Sequence, residues 1–199
     1  PDEIGLGDLG KRDSYVGRQL KTWYRSWTSS IKGADFDDAR AHALQKFFLE
    51  KLPEQEKARV VHGDYGLHNC LTGPDCTVAA VVDWEISTLG DPLADLAYAL
   101  NFFPDPTDTI PISPEAATAV PGFPTRTEMA ARYGARTKRD LSNLDYYTAF
   151  NRWKSACIVH GLYARYMDGK KSSEGVDLEH MRSRIDASLA LAEEAVNRL

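Results

Sequence analysis

Cysteine is scarce in these 199 residues: Cys70, Cys76 and Cys157 are the only three, and an odd number cannot pair completely into disulfides. A chain this long buries enough surface to fold without such staples. A reduced, cytoplasmic setting is therefore expected. Methionine is equally rare, with Met129 the first of three, and the chain opens Pro1-Asp2-Glu3, so it reads as a piece of a longer protein. Long apolar runs are missing. The longest, residues 77–82, falls far short of the roughly 20 residues a bilayer span needs. No basic-then-apolar segment of the signal-peptide kind opens the chain. No membrane partner is expected. Positive charge is also in deficit, with 24 Lys+Arg against 29 Asp+Glu. The net charge of −5 removes the electrostatic drive for sequence-independent nucleic-acid binding.

What is present is mostly helical periodicity. Val16, Leu20, Trp23, Tyr24, Trp27 and Ile31 recur every three to four residues, which predicts a helix over 15–31 with both tryptophans on a core stripe. Ala41, Leu44, Phe47, Phe48 and Leu52 repeat the pattern over 37–52, and Pro53 ends it. The period then changes. Residues 59–61 and 78–82 are short β-branched runs, and Thr72-Gly73-Pro74-Asp75 is a turn signal, so 70–71 and 77–82 are expected to form a small hairpin. Asp91 is a good N-cap and Pro92 suits the first helical position of a helix running to about residue 103. Six of the ten prolines fall in 104–124, which lacks periodicity and is expected to be a mobile loop at a substrate entrance. Helices are predicted again over 125–133, 143–167 and 177–199. Residues 1–14 are Gly- and charge-rich and read as a leader or linker. They contain a G-x-G-x-x-G match at 5–10, but only four residues precede it, too few for the strand that a dinucleotide fingerprint requires.

The chemistry concentrates in Val60-Val61-His62-Gly63-Asp64-Tyr65-Gly66-Leu67-His68-Asn69 and Val81-Val82-Asp83-Trp84-Glu85. Asp64 and Asn69 lie five apart on a loop between strand-like runs, and Asp83 closes the next strand. Phosphoryl transfer from a nucleotide needs such a set. Its transition state is loose, so the protein mainly positions groups and stabilises charge. Asp64 suits the base that accepts the attacking hydroxyl's hydrogen. Asn69 and Asp83 suit a magnesium ion, which takes hard oxygen ligands from one or two side chains plus phosphates. His62 is expected as a buried organiser of the loop, His68 as a surface residue ahead of one lining the cleft, and Tyr65 and Trp84 as core ahead of substrate contacts.

His62-Gly63-Asp64, Asn69 and Asp83-Trp84-Glu85 resemble the aminoglycoside phosphotransferase and choline kinase family, which shares the protein-kinase-like fold. Protein kinases read H-R-D-x-x-x-x-N and D-F-G at these places. Gly for Arg and Trp-Glu for Phe-Gly are usual for the small-molecule branch. Leu89-Gly90-Asp91-Pro92-Leu93-Ala94-Asp95-Leu96-Ala97 and His160-Gly161-Leu162-Tyr163-Ala164-Arg165 resemble in particular the kinase-like domains that accompany some acyl-CoA dehydrogenases. The resemblance implies an α+β, mostly helical fold. It would be a protein-kinase-like C-terminal lobe over 15–199, with a small hairpin beside the catalytic loop. It implies Asp64 as catalytic base, Asn69 and Asp83 as magnesium ligands, Glu85 as a support for metal or substrate, and Asp95 as a brace for the catalytic loop alongside His62. The cofactors implied are Mg2+ and ATP, and the partner a small-molecule hydroxyl.

The family's nucleotide lobe supplies a Gly-rich loop, a strand lysine and an adenine-reading hinge. Residues 1–60 offer none of these, so this stretch alone is expected to be inactive and, with apolar surface uncovered, prone to self-association. Two other classes stay open. A metal-dependent hydrolase would use His62, Asp64, His68 and Asp83. A non-catalytic pseudokinase or scaffold would keep the fold without the chemistry.

Overall fold

The computed structural model describes residues 1–110 and 117–199. The chain divides into two compact units, one of residues 1–15 and 54–147, the other of 16–53 and 148–199. Among the described residues it is helix-rich, with two small antiparallel β pairs, an α+β and mostly helical class as expected.

The second unit is a helical bundle. Helix α1 spans Tyr15–Ala34 and α2 spans Ala39–Glu50. Helix α5, Leu144–Met167, contributes all but its first turn, and α6 spans Leu178–Val196. Asp38 caps α2 by accepting from the Arg40 amide, and Asp177 caps α6 by accepting from the His180 amide. Their first helical residues therefore fall one or two places inside the segments predicted at 37 and 177. Met181, Ile185, Leu189, Ala192 and Ala195 recur on one face of α6 and are buried. Phe48 packs edge-on against Phe150 and Trp153, and the Trp153 indole N–H donates to the Ala41 carbonyl at 2.9 Å. Trp27 stacks on His160 at 3.9 Å between centroids. The His160 Nε2–H donates to the Phe36 carbonyl at 2.9 Å.

The first unit carries the strands. Strand β1, Arg59–Val61, pairs antiparallel with β4, Thr88–Gly90. Strands β2, Cys70–Thr72, and β3, Val78–Val81, form the hairpin, with a register irregularity between Leu71 and Thr72. Helix α3, Pro92–Leu100, begins at the Asp91 cap, which accepts from the Leu93 amide at 3.0 Å and from the Tyr147 hydroxyl at 2.6 Å. Burial pushes the Asp91 carboxyl above the usual carboxylate range, and those two donors work against the rise. Helix α4, Arg126–Thr137, starts from a full capping box between Thr125 and Glu128. Of the irregular stretch expected over 104–124, residues 111–116 lie outside the described residues. On its flanks, Asp105 accepts from both the amide and the hydroxyl of Thr107 and of Thr127, and Arg126 pairs with Asp108. Residues 1–14 carry structure of their own. A single 3-10 turn covers Asp2–Ile4, Arg12 pairs with Asp2, and Gln55 bridges the Arg12 carbonyl and the Tyr15 amide.

Candidate active site

The loop of residues 62–69 leaves β1 and ends at β2. Its geometry follows from a few strong acceptors. Asp95, in the first turn of α3, accepts from the backbone amides of His62 and, at 2.9 Å, Gly63. One carboxylate thus takes two consecutive N–H groups just past the end of β1. Gly63 sits at φ +89°, a left-handed conformation that side chains resist, and a Cβ there would lie 3.2 Å from Ile86.

His62 is buried and spent on the loop itself. Its Nε2 faces the Val82 carbonyl at 2.8 Å, and a carbonyl only accepts, so Nε2 carries the hydrogen. Its Nδ1 then accepts from the Asp64 amide at 3.3 Å. Both ring nitrogens are occupied, which leaves none for a metal and weakens the hydrolase alternative. Among the described residues, no group of three or more His, Cys, Asp or Glu side chains is placed to hold a metal ion.

Asn69 is buried at the loop's end. Its Nδ2 donates to the Asp64 carbonyl at 2.9 Å and lies 3.4 Å from the Asp64 carboxylate. With Nδ2 turned inward, Oδ1 is the atom left for a cation. The Asn69 carbonyl accepts from the Val82 amide at 2.9 Å, next to the Cys70–Val81 pair of the hairpin. That bond brings the backbone just before Asp83 against Asn69. Asp83 itself adopts the left-handed region, φ 65° and ψ 48°, which Asp tolerates better than most residues. It caps a single 3-10 turn, Trp84–Ile86, that exposes Glu85. The hairpin thus holds Asn69, with its amide oxygen, against the segment that leads into the Asp83 carboxylate, and both donors are of the hard oxygen type that a divalent cation takes.

Two expectations of core packing fail here. Tyr65 is 39% exposed and Trp84 48% exposed. The Trp84 ring lies tilted against His62, 4.7 Å between centroids, with its N–H donating to the Val81 carbonyl at 2.8 Å. Sequence reasoning also overlooked a neighbour of Asp64. The half-buried Tyr98, on α3, lies close enough to Asp64 to feel its carboxylate. Burial first, then the neighbouring Asp64 carboxylate, pushes its phenol well above the usual range. His68, expected at the surface and, in the hydrolase alternative, on a metal, sets its Nε2 3.4 Å from Asp64 Oδ1.

Two short β pairs, a loop ending in Asn69 and an acidic turn after the hairpin define a kinase-like phosphotransferase fold. The comparisons agree. The family model of the phosphotransferase enzyme family (APH) matches residues 1–140, and the chain belongs to that family. Acyl-CoA dehydrogenase family member 11 of Gallus gallus is 33% identical over 180 residues, covering 86% of this chain and 22% of the relative. The chain therefore spans about a fifth of the length of that curated relative. A crystal structure assigned to the aminoglycoside phosphotransferases, from Ralstonia eutropha, superposes with a TM-score of 0.79 at 28% identity, covering 99% of this chain and 60% of the other. Choline kinase from Cryptosporidium parvum superposes at 0.55 with 11% identity, over 98% of this chain and 60% of the other, a likeness of fold alone.

Proposed function

We propose that this chain carries the catalytic loop and the metal-binding acidic turn of an ATP- and magnesium-dependent phosphotransferase acting on a small-molecule hydroxyl. The observation that carries the reading is the coupling of Asp64, Asn69 and Asp83 through the Asn69 side chain and the Asn69–Val82 backbone bond. In it, Asp64 accepts the hydrogen of the acceptor alcohol as its oxygen attacks. Asn69 Oδ1 and the Asp83 carboxylate are the groups that would hold magnesium, with Glu85 beside them on the turn. Magnesium with ATP, when bound, supplies the transferable phosphoryl group and the neutralisation of its charge. Asp95 and His62 keep the loop backbone fixed, so that little reorganisation is needed as charge develops.

The acceptor is a small molecule with an apolar body. Tyr65, Leu67 and Phe102 are exposed on or beside the loop that carries Asp64, and Phe102 lies edge-on to His68. The acyl-CoA dehydrogenase naming of the relatives points the same way, toward hydroxyacyl compounds. Nucleic acid and membrane are not partners in this reading. No helix among the described residues is long and apolar enough to cross a membrane. The three cysteines are free, which suits a reducing, cytoplasmic setting. The test is ADP release from Mg-ATP by the full-length protein, with kanamycin, choline and 3-hydroxybutyryl-CoA as acceptor probes. Magnesium-dependent release stimulated by the hydroxyacyl probe is expected. Stimulation by kanamycin or choline alone would reject the apolar acceptor, and hydrolysis of the probes without nucleotide would reject phosphotransfer.

A further inference from the structure

The helical bundle holds a cleft of its own. It lies between α1 and α5, and every residue lining it belongs to the second unit. Gly161 faces Ser26 and Ser30 of α1, while Gly33 faces Ala164 and Asp168. The two helices therefore run side by side in one direction and end together. A Cβ at Gly161 would lie 3.2 Å from the Ser26 hydroxyl, and one at Gly33 would lie 3.0 Å from the Asp168 carboxylate. The bare glycines let the helices approach and keep the floor of the cleft clear of side chains. Its volume is about 470 Å3, within the range of small-molecule sites.

The charge of the cleft runs against that of the chain. Lys32, Arg165 and Lys170 line it with a single carboxylate, Asp168. Lys170 and Asp168 pair with each other at 2.7 Å. Lys32 and Arg165 are exposed, and neither side chain enters an ion pair or hydrogen bond among the described residues. Both stand in last turns, where a cation answers the partial negative charge of a helix end. Two helix ends carry about one negative charge together, so the cleft keeps roughly one positive charge in excess. At α5, moreover, the carbonyls of Ala164, Arg165 and Tyr166 are taken by the amides of Asp168, Lys171 and Gly169. A free cation on each helix is more than those ends need.

The serines set the rest of the chemistry. The Ser29 and Ser30 hydroxyls both donate to the Ser26 carbonyl, at 3.0 and 2.7 Å. Their hydrogens are spent, so their oxygens are left to accept. An ionised phosphate has no hydrogen to give them, whereas an alcohol hydroxyl has one. We propose that this cleft binds a small phosphorylated polyol, its phosphate held by Lys32 and Arg165 and its free hydroxyls donating to Ser29 and Ser30. The guanidinium of Arg165 offers a fork of N–H donors that matches two phosphate oxygens.

The test is calorimetric titration of the full-length protein in metal-free buffer, with glycerol 3-phosphate, inorganic phosphate and glycerol as separate probes. Without a divalent ion, no metal assists a phosphate elsewhere. Glycerol 3-phosphate should bind saturably with Kd of about 1 mM or tighter. It should bind severalfold more tightly than inorganic phosphate, and glycerol should not bind. Replacing both cations, Lys32→Ala with Arg165→Ala, should weaken binding at least tenfold, and Arg165→Lys should keep part of what Arg165→Ala loses. Both positions are exposed, so unfolding midpoints should stay close to wild type. No saturable binding of glycerol 3-phosphate, or binding unchanged in the double variant, overturns the site. Inorganic phosphate bound as tightly as the ester overturns the polyol assignment.

Discussion

Replacing Asp95 by alanine should loosen the loop of residues 62–69. Asp95 accepts from the amides of His62 and Gly63, one with each carboxylate oxygen. A hydrogen bond to a charged group contributes about 1.5–3 kcal/mol, and removing the acceptor leaves the donors to find water. Asp95 is half-buried, so partial rehydration offsets some of that loss. The two bonds also share one side chain and do not add fully. Asp95→Ala should therefore cost ~2–4 kcal/mol and Asp95→Asn about half as much, since the amide keeps one acceptor oxygen. Against a total of roughly 5–15 kcal/mol, that is a large share. Urea unfolding followed by fluorescence should show a lower midpoint, about 1–2 M for the alanine variant, with an unchanged slope. Hydrogen exchange localises the effect, because the His62 and Gly63 amides should lose protection before the core of the second unit does. Asp95→Ala with a stability within about 0.5 kcal/mol of wild type, the level of an ordinary surface change, would refute the reasoning.

Asp83→Ala should weaken Mg-ATP binding by the full-length protein at least tenfold in calorimetry, on the order of one lost metal anchor, whereas Glu85→Ala should change it less. Gly90→Ala should lower the unfolding midpoint, since the added methyl would stand 2.6 Å from the Tyr15 ring and 2.8 Å from Val61; overpacking of this kind typically costs ~1–3 kcal/mol. His160 gives a pH dependence. Burial holds its imidazole below the ordinary histidine value, although the Phe36 carbonyl pulls the other way. The unfolded chain therefore takes up the proton first, and the stability tied to neutral His160 is present above about pH 6.5 and lost as pH falls below it. A second proton would fall on Nδ1, which has no hydrogen-bond partner among the described residues. Unfolding midpoints between pH 7.5 and 5 should fall more steeply for wild type than for His160→Gln, and parallel curves would contradict this.

The sequence speaks most clearly where spacing and chemistry coincide. The loop at 62–69 shows in its own residues because polar groups at fixed separations sit between β-branched runs. The start of α3 shows as well, because Asp91 and Pro92 each have a single-residue reason to be there. Strand β4 does not show. Three residues with one buried leucine carry no period, and its partner β1 lies some thirty positions earlier, so only the closed fold reveals the pair. Tyr98 escapes for another reason. An aromatic residue on an amphipathic helix is ordinarily core, and its nearness to Asp64 depends on how α3 sits over the loop. Trp84 and Tyr65 mislead in the opposite sense. Their size predicts burial, yet both flank His62 beside a loop whose backbone leaves them open to solvent.

The central claim is that Asp64 acts as the base of a phosphoryl transfer while Asn69 and Asp83 hold the metal. The most direct measurement compares Asp64→Asn with wild type in the full-length protein, reading Mg-ATP affinity by calorimetry and kcat by ADP release. The account predicts affinity within a few-fold of wild type and kcat reduced by roughly a hundredfold or more, the usual worth of a positioned proton acceptor. An Asp64→Asn variant that binds Mg-ATP and turns it over at the wild-type rate would contradict it.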